Sequence, residues 1–445
     1  VNLFVLDQDR CGLDIALRAM AEGHSVRLFR PHGKNVKDGD GFKGLMITSD
    51  LKGSMKWAKE GLIITTANCK YMDELDLWRK HGYPVFGPTK ASARLEIDRA
   101  HGQEVMKQHG MIIPPYQMFN SLKDALEFAK KTDKCFVHKP AGDCSDKALT
   151  FVAKDPGQLV EWLENKIKSG SENNVKVMLQ EKIDDMICEV GIAGFMGSHG
   201  FLEDKWEISF EHKKLMPGNY GPACGEQGTV IQLVKESKLA DILKSFESHL
   251  RAIGHTGDVA INGAINEKGE YLPFEWTARS GWPDDSIRRS LHKTEECQWM
   301  KAALEGRDEL KVSYDCAIGV VMAQRPYPYG DGTPKEVEGK PIYGVEDVSE
   351  HIHFMQVMMD KGYVWDGKKT VQESLPKTTG PYILIATGHG KTVCDAHANV
   401  MEVVDTISIA DGIVRNDIGM SLGKPLDKLH KLGYCKEIEF GSKSG

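Results

Sequence analysis

The sequence predicts an α/β protein that opens on a parallel sheet covered by helices, continues into a second α/β region, and ends in a smaller part. Two observations carry that expectation. Apolar strands alternate with amphipathic helices over residues 1–88, a βαβ rhythm that sets parallel strands side by side. The chain has 445 residues, the length of about three domains of roughly 150 residues each, and the pattern divides it at 1–88, 89–310 and 311–445.

Val1–Leu6 reads as a strand, Leu13–Glu22 as a helix with Leu13, Ala16, Leu17 and Met20 on one face, and Ser25–Phe29 as a second strand. Leu62–Thr66, Met72–His81 and Pro84–Phe86 repeat the alternation. A dinucleotide fold would place G-x-G-x-x-G where the first strand meets its helix. Asp7-Gln8-Asp9-Arg10-Cys11-Gly12 stands there, with one glycine and two carboxylates, which speaks against a nicotinamide-dependent oxidoreductase. After Gly87-Pro88 one long helix is expected from Thr89 to His109, closed by Gly110. Strands follow at Cys135–His138 and Val175–Gln180, and a hairpin at Asp258–Ile265 and Tyr271–Trp276 turns on Asn266-Glu267-Lys268-Gly269. Gly306–Lys311 reads as a linker. Beyond it, strands at Ala317–Ala323 and Tyr382–Ala386 precede a helix over Cys394–Asp405.

The composition excludes several function classes. Lys and Arg number 57 against 64 Asp and Glu, a net charge of −7, so no overall positive field exists to hold a nucleic-acid backbone. Hydrophobic residues at 41% and charged residues at 27% match ordinary globular chains rather than disordered ones. Apolar runs such as Ala317–Ala323 fall far short of the ~18 residues of a membrane helix. The ten cysteines form no CxxC pair, and no His-x3-His is present, which disfavours a structural zinc site and a disulfide framework. Scattered thiols and an apolar start without a basic leader point to a cytoplasmic protein.

Four segments carry chemistry. They are Gly87-Pro88-Thr89-Lys90-Ala91-Ser92-Ala93-Arg94-Leu95-Glu96 with Arg99; Phe136-Val137-His138-Lys139-Pro140 with Lys147; Glu211-His212-Lys213-Lys214 leading into the glycine-spaced Gly218–Gly228; and Pro273-Phe274-Glu275-Trp276-Thr277-Ala278-Arg279. In this order and spacing they resemble the ATP-grasp ligases, and among them the phosphoribosylamine–glycine ligases. Val414-Arg415-Asn416-Asp417-Ile418-Gly419 extends the likeness, resembling the family's R-x-D-I-G stretch.

The resemblance implies an ATP-grasp fold with an N-terminal open parallel α/β sheet domain (1–88), an ATP-grasp domain (89–310) with a mobile ATP-covering part near 115–183, and a small C-terminal α+β domain (311–445). It implies a reaction in which a carboxylate attacks the γ-phosphate of ATP and an amine then displaces phosphate from the acyl phosphate. Such a site needs fixed cations and a metal ion around the transferring phosphoryl group. By resemblance, Lys139, Lys147 and Arg99 meet phosphates, Gln180, Glu181 and Ile183 meet adenine, and Glu189 takes the ribose hydroxyls. Glu275, Thr277 and Asn262 would hold Mg2+ or Mn2+, with Thr277 where the family has Asn. Arg279 would grip the substrate carboxylate and Lys213 would share the catalytic centre. Arg10, Glu211, Gly221, Pro222, Gly225 and Asp417 fall at substrate positions.

Three loops depart from the family. Its glycine-rich G-x-G-G-R-E-H loop, which receives a ribose phosphate, is replaced by Asp7–Asp14, where two carboxylates would repel one. The ATP-covering loop, here Ala141–Asp146, is more acidic. Ala223, Cys224, Glu226 and Gln227 replace the usual N, T, G and M. The expected activity is therefore an ATP-dependent carboxylate–amine ligase joining an amino acid to an amine, a nucleotide or modified base among the candidates, in a monomer or homodimer away from membranes. The alternatives are a genuine phosphoribosylamine–glycine ligase and a catalytically silent binding protein on the same scaffold.

Overall fold

The computed structural model describes residues 1–30, 36–68, 70–140, 150–170 and 176–442. Strands β1 (Asn2–Leu6), β2 (Ser25–Phe29), β3 (Met46–Thr48), β4 (Leu62–Thr65) and β5 (Val85–Phe86) form a parallel sheet in the order β3-β2-β1-β4-β5. Leu3 and Val5 of β1 belong to one core with α1 (Leu13–Ala21), and Phe4 and Leu6 to another beside α2 (Leu51–Trp57) and α3 (Met72–Lys80). Burial of both faces is why this strand reads as an unbroken apolar run.

The single helix expected over Thr89–His109 is two helices, α4 (Lys90–Ile97) and α5 (Arg99–Gln108). Asp98 breaks it. This residue leaves helical geometry at φ −98° and ψ 85°, and its carboxylate accepts the His101 N–H at 3.1 Å. An Asp side chain that satisfies free N–H groups favours starting a helix over continuing one.

A second, antiparallel sheet holds β6 (Tyr116–Phe119), β7 (Phe136–Pro140), β8 (Phe151–Val152) and β9 (Val177–Glu181) in the order β6-β9-β7-β8. Helices α6 (Leu122–Ala129) and α7 (Pro156–Lys168) cover it, burying Leu126, Leu159, Leu163 and Phe136 in a core of their own.

The third sheet draws on β10 (Met186–Met196), β11 (Trp206–Glu211), β14 (Gly228–Val234), β15 (Gly257–Asn266), β16 (Tyr271–Thr277) and β17 (Cys316–Ala323), with β12 (Lys214–Met216) and β13 (Tyr220–Ala223) forming a separate ribbon between β11 and β14. Helices α8 (Lys238–Lys244) and α9 (Glu247–Ala252) precede β15, while α10 (Asp284–Arg289) and α11 (Glu296–Leu304) lie between β16 and β17. After Gly306–Lys311 the chain first returns to the third sheet. After β17 come α12 (Pro334–Val337) and β18 (Ile342–Tyr343), and β19 (Ile352–Phe354) and β22 (Tyr382–Gly390) extend the third sheet beyond β17, giving the order β16-β15-β10-β11-β14-β17-β22-β19. Helix α13 (Val393–Thr406) packs on β22 and β17. The strands β20 (Val357–Trp365) and β21 (Thr370–Thr378) form an outlying ribbon. No helix among the described residues is long and apolar enough to cross a membrane.

Candidate active site

Between the second and third sheets lies a cleft of ≈ 980 Å³, floored by β10, β15 and β16 and walled by β7, β9 and the turn after β11. The ladder places its polar residues. Asn262 stands directly opposite Glu275 across β15–β16, and Thr277 lies two residues on, on the same face as Glu275. On the other side Asn262 faces Gly191, where an added Cβ would meet Ser209 Oγ at 2.4 Å and Asn262 Oδ1 at 2.6 Å. Glycine at 191 leaves room for the Asn262 amide.

Ion pairs and an amide hydrogen bond cross this floor. Arg99 Nη1 reaches Glu275 Oε2 at 2.8 Å. The Asn262 side-chain amide donates to Glu211 Oε1 at 2.8 Å. Lys213 Nζ donates to Glu189 Oε2 at 2.9 Å and lies 3.3 Å from Glu211 Oε2. Burial works against the Lys213 charge, but Glu189 and Glu211 outweigh it and hold the ammonium well above the ordinary lysine range. Lys139 contrasts with it. Its Nζ donates to Gln180 Oε1 at 2.8 Å and sits 4.8 Å above the Phe274 ring, so burial, reinforced by the Arg99 charge, pulls its pKa down to about 7. Gln180 in turn donates to Pro114 O at 3.2 Å and to Gln103 Oε1 at 3.3 Å, and Gln103 donates to Phe274 O at 3.2 Å. Gln103 was not singled out in the sequence. Its signal was the i,i+4 spacing from Arg99 on α5.

At the strand end, the Glu181 and Lys182 N–H groups are taken by Pro115 O and Cys135 O. The Ile183 N–H has no backbone partner among the described residues, and Ile183 lines the cleft. Glu181 directs its carboxylate to Lys134. Arg279 lies at the exit of β16, with Nη2 on Glu96 Oε1 at 3.0 Å and Nη1 on Ser280 O at 2.6 Å.

The far end of the cleft is acidic and aromatic. Carboxylate oxygens of Glu211, Glu226 and Asp284 lie within 4.8 Å of one another, and Asp9, Trp282, Tyr327 and Tyr382 line the same cavity. Burial, then the Glu211 charge, pushes the Asp284 carboxyl up to about 6. Glu226 is one of the changed letters that signal an altered lining, Asp284 lies beyond the Pro273–Arg279 segment, and nothing in the letters shows that they meet.

Four expected substrate residues are not in the cleft. Arg10, in a left-handed conformation at φ 62°, forks onto Asp38 at 2.7 and 2.8 Å and donates to Thr379 O at 3.1 Å. Its guanidinium is committed to an ion pair within the fold. Asp417 accepts the Gly218 N–H at 2.8 Å and pairs with Arg415 at 2.6 Å. It therefore braces the β12–β13 ribbon, on which Gly221 and Pro222 also lie outside the cavity lining. Gly225 does line the cavity. His212 is likewise structural: buried and held neutral, with its pKa pulled down to about 4, it accepts the Gly419 N–H at 3.0 Å. Lys147 and the Ala141–Asp146 loop lie outside the described residues.

Glu275, Asn262 and Thr277 together offer carboxylate, amide and hydroxyl oxygens on one sheet face. Hard oxygen donors of this kind suit a magnesium ion that keeps its remaining positions for water and phosphate. The donor set fits such an ion, Thr277 being its weakest member.

No family model matches the chain. It is 25% identical over 364 residues to a phosphoribosylamine–glycine ligase of Clostridium acetobutylicum, covering 77% of this chain and 80% of that protein. Among solved structures it resembles a phosphoribosylamine–glycine ligase from Thermotoga maritima, with a TM-score of 0.70 at 19% identity, covering 94% of this chain and all of that one. An L-amino acid ligase from Bacillus licheniformis superposes with a TM-score of 0.56 at 16% identity, over 92% of this chain and 98% of that one. The fold is that of the ATP-grasp proteins.

Proposed function

We propose that the chain is an ATP-dependent carboxylate–amine ligase that activates an amino acid as its acyl phosphate and transfers the acyl group to an amine other than phosphoribosylamine. The observation that carries the ligase reading is the convergence of Lys139, Arg99, Asn262, and Glu275 with Arg279, on one cleft from four separate segments. The named relatives support the same reaction class.

In this reading, adenine lies against the strand end at Gln180–Ile183, and the ribose hydroxyls replace Lys213 on Glu189, whose two oxygens can accept from neighbouring hydroxyls. Lys139 and Arg99 face the phosphates. A magnesium ion held by Glu275, Asn262 and Thr277 would neutralise charge on the phosphoryl oxygens. Arg279 holds the amino-acid carboxylate, one of whose oxygens attacks the γ-phosphorus as the bond to ADP breaks. The amine nitrogen then attacks the acyl carbon and inorganic phosphate leaves with the original carboxylate oxygen. Lys213, kept charged by Glu211, stands beside the reacting groups as a positive partner for the phosphate that departs.

The altered amine rests on the Asp7–Gly12 loop. Asp7 accepts the N–H groups of Cys11 and Gly12 at 3.1 and 2.9 Å and the Thr66 hydroxyl at 3.1 Å. Two donors leading into α1 that could receive a phosphate, the Cys11 and Gly12 N–H groups, already serve a carboxylate. Arg10 serves Asp38. Phosphoribosylamine as the amine is the second reading, favoured by the names of the relatives. A screen for ADP release across amino acids, with and without candidate amines, tests the proposal. Amino-acid-dependent ADP formation is expected, and its absence with every combination would leave a nucleotide-binding protein without ligase activity.

A further inference from the structure

Resting on that ligase reading, we infer that Glu96 is a positioning residue that sets the affinity for the carboxylate substrate by fixing Arg279. Glu96 lies on α4 and touches no reacting group, yet both its oxygens are committed at the exit of β16. Oε1 accepts from Arg279 Nη2 at 3.0 Å. Oε2 accepts from the Ala278 backbone N–H at 3.0 Å and from Asn68 Nδ2 at 2.6 Å. One carboxylate thus ties together the loop after β4, helix α4, and the two residues that follow Thr277.

The geometry has two consequences. A guanidinium on a long side chain loses rotamer freedom when it binds an anion, and a guanidinium already pinned by a carboxylate has lost it beforehand. Arg279 is pinned at Nη2 by Glu96 and at Nη1 by Ser280 O, which leaves the rest of its fork to a carboxylate in the cleft. The same Glu96 also fixes the main chain one residue beyond Thr277 and three beyond Glu275. The spacing between the carboxylate receptor and the metal-binding face is therefore set by this side chain. A glutamine at 96 keeps the shape but has one oxygen and one donor NH2, and so it cannot accept from Arg279, Ala278 and Asn68 together.

The test uses hydroxylamine as the acceptor amine, so that acyl phosphate is trapped as a hydroxamate, with Mg-ATP and each standard amino acid as the carboxylate. For the amino acid that gives the fastest hydroxamate formation, Glu96→Gln should raise KM about tenfold, while kcat and the KM for ATP stay within about twofold. In an Arg279→Ala background the same change should add nothing, because its effect runs through the guanidinium. An unchanged amino-acid KM would overturn the assignment. So would a parallel loss of kcat and ATP affinity, or a further tenfold rise in the Arg279→Ala background, since each describes a merely structural Glu96. If the full-length parent makes hydroxamate and Arg279→Ala leaves KM unchanged, Arg279 is not the receptor and the inference is refuted while the ligase reading stands. If the parent makes none with any amino acid, the ligase reading fails and the role of Glu96 falls with it.

Discussion

The carboxylate of Asp7 accepts the backbone N–H of Gly12 at 2.9 Å, closing the start of α1 from within its own loop. Burial pushes the Asp7 carboxyl up to about 6, against the pull of the Gly12 and Cys11 bonds. At neutral pH it is largely ionised, and a phosphate brought within ~4 Å would meet a repulsion of about 4 kcal/mol per charge at an effective dielectric near 20. Asp7→Ala should therefore increase binding of inorganic phosphate or a sugar phosphate, measured by calorimetry. Equal weak binding by parent and variant would show that this loop does not exclude phosphate.

Lys139 provides a pH test of nucleotide binding. With a pKa of about 7 its ammonium is present below neutrality and lost above it. Mg-ATP affinity should fall as pH rises from 6.5 to 8.5, with proton uptake on binding. Lys139→Ala should weaken binding by about 1.5–3 kcal/mol and flatten the pH dependence. Unchanged affinity in the variant would remove Lys139 from the phosphate site.

Glu275→Gln should abolish turnover with little change in melting temperature, because an amide replaces the anionic metal ligand and Arg99 loses its partner at 2.8 Å. Thr277→Asn should maintain or raise activity, an amide oxygen being a better magnesium ligand than a hydroxyl. A large loss in Thr277→Asn would mean that the hydroxyl has a role of its own.

Gly191→Ala should impair catalysis from beneath the site. The new methyl would lie 2.6 Å from Asn262 Oδ1 and 2.4 Å from Ser209 Oγ, and overpacking of this kind costs about 1–3 kcal/mol. With Asn262 displaced from Glu211, metal affinity should weaken, seen as a rise in the magnesium concentration for half-maximal rate. Parent-like magnesium dependence would show that Asn262 is not needed where it stands.

Asp284 should leave a mark on stability. Its carboxyl is held up at about 6 against 3.8 in the unfolded chain, so the folded state keeps a proton that the unfolded state has released. That stabilisation is complete below the unfolded value and is lost as pH rises through about 6. Two pKa units correspond to roughly 3 kcal/mol at the most. Asp284→Asn should flatten the fall in melting temperature between pH 4 and 6.5; an unaltered slope would assign the fall to other raised carboxyls such as Asp7 and Asp285.

Much of this was legible in the letters. Leu3–Leu6 and Leu62–Thr65 announce strands buried on both faces, and Asn266–Gly269 announces the turn that pairs Asn262 with Glu275. The break at Asp98 was missed because the apolar pattern runs on across it, and the cap that causes it involves a single side chain. Arg10 was read as available because its partners, Asp38 and Thr379, are remote in sequence. The meeting of Glu211, Glu226 and Asp284 depends on three separate segments converging, which no local pattern records. Glu96 closes the Gly87–Glu96 segment, but its three partners lie 28, 182 and 183 residues away.

On the proposed reading, a ligase cleft has been kept while the amine has changed. ADP formation by the purified protein should be measured with Mg-ATP, glycine and phosphoribosylamine, beside the amino-acid panel with hydroxylamine. Amino-acid-dependent hydroxamate and ADP are expected in the panel, and little ADP from glycine with phosphoribosylamine. Turnover of glycine and phosphoribosylamine at a rate on the order of 10 s⁻¹, typical of enzymes on their own substrates, would contradict that reading.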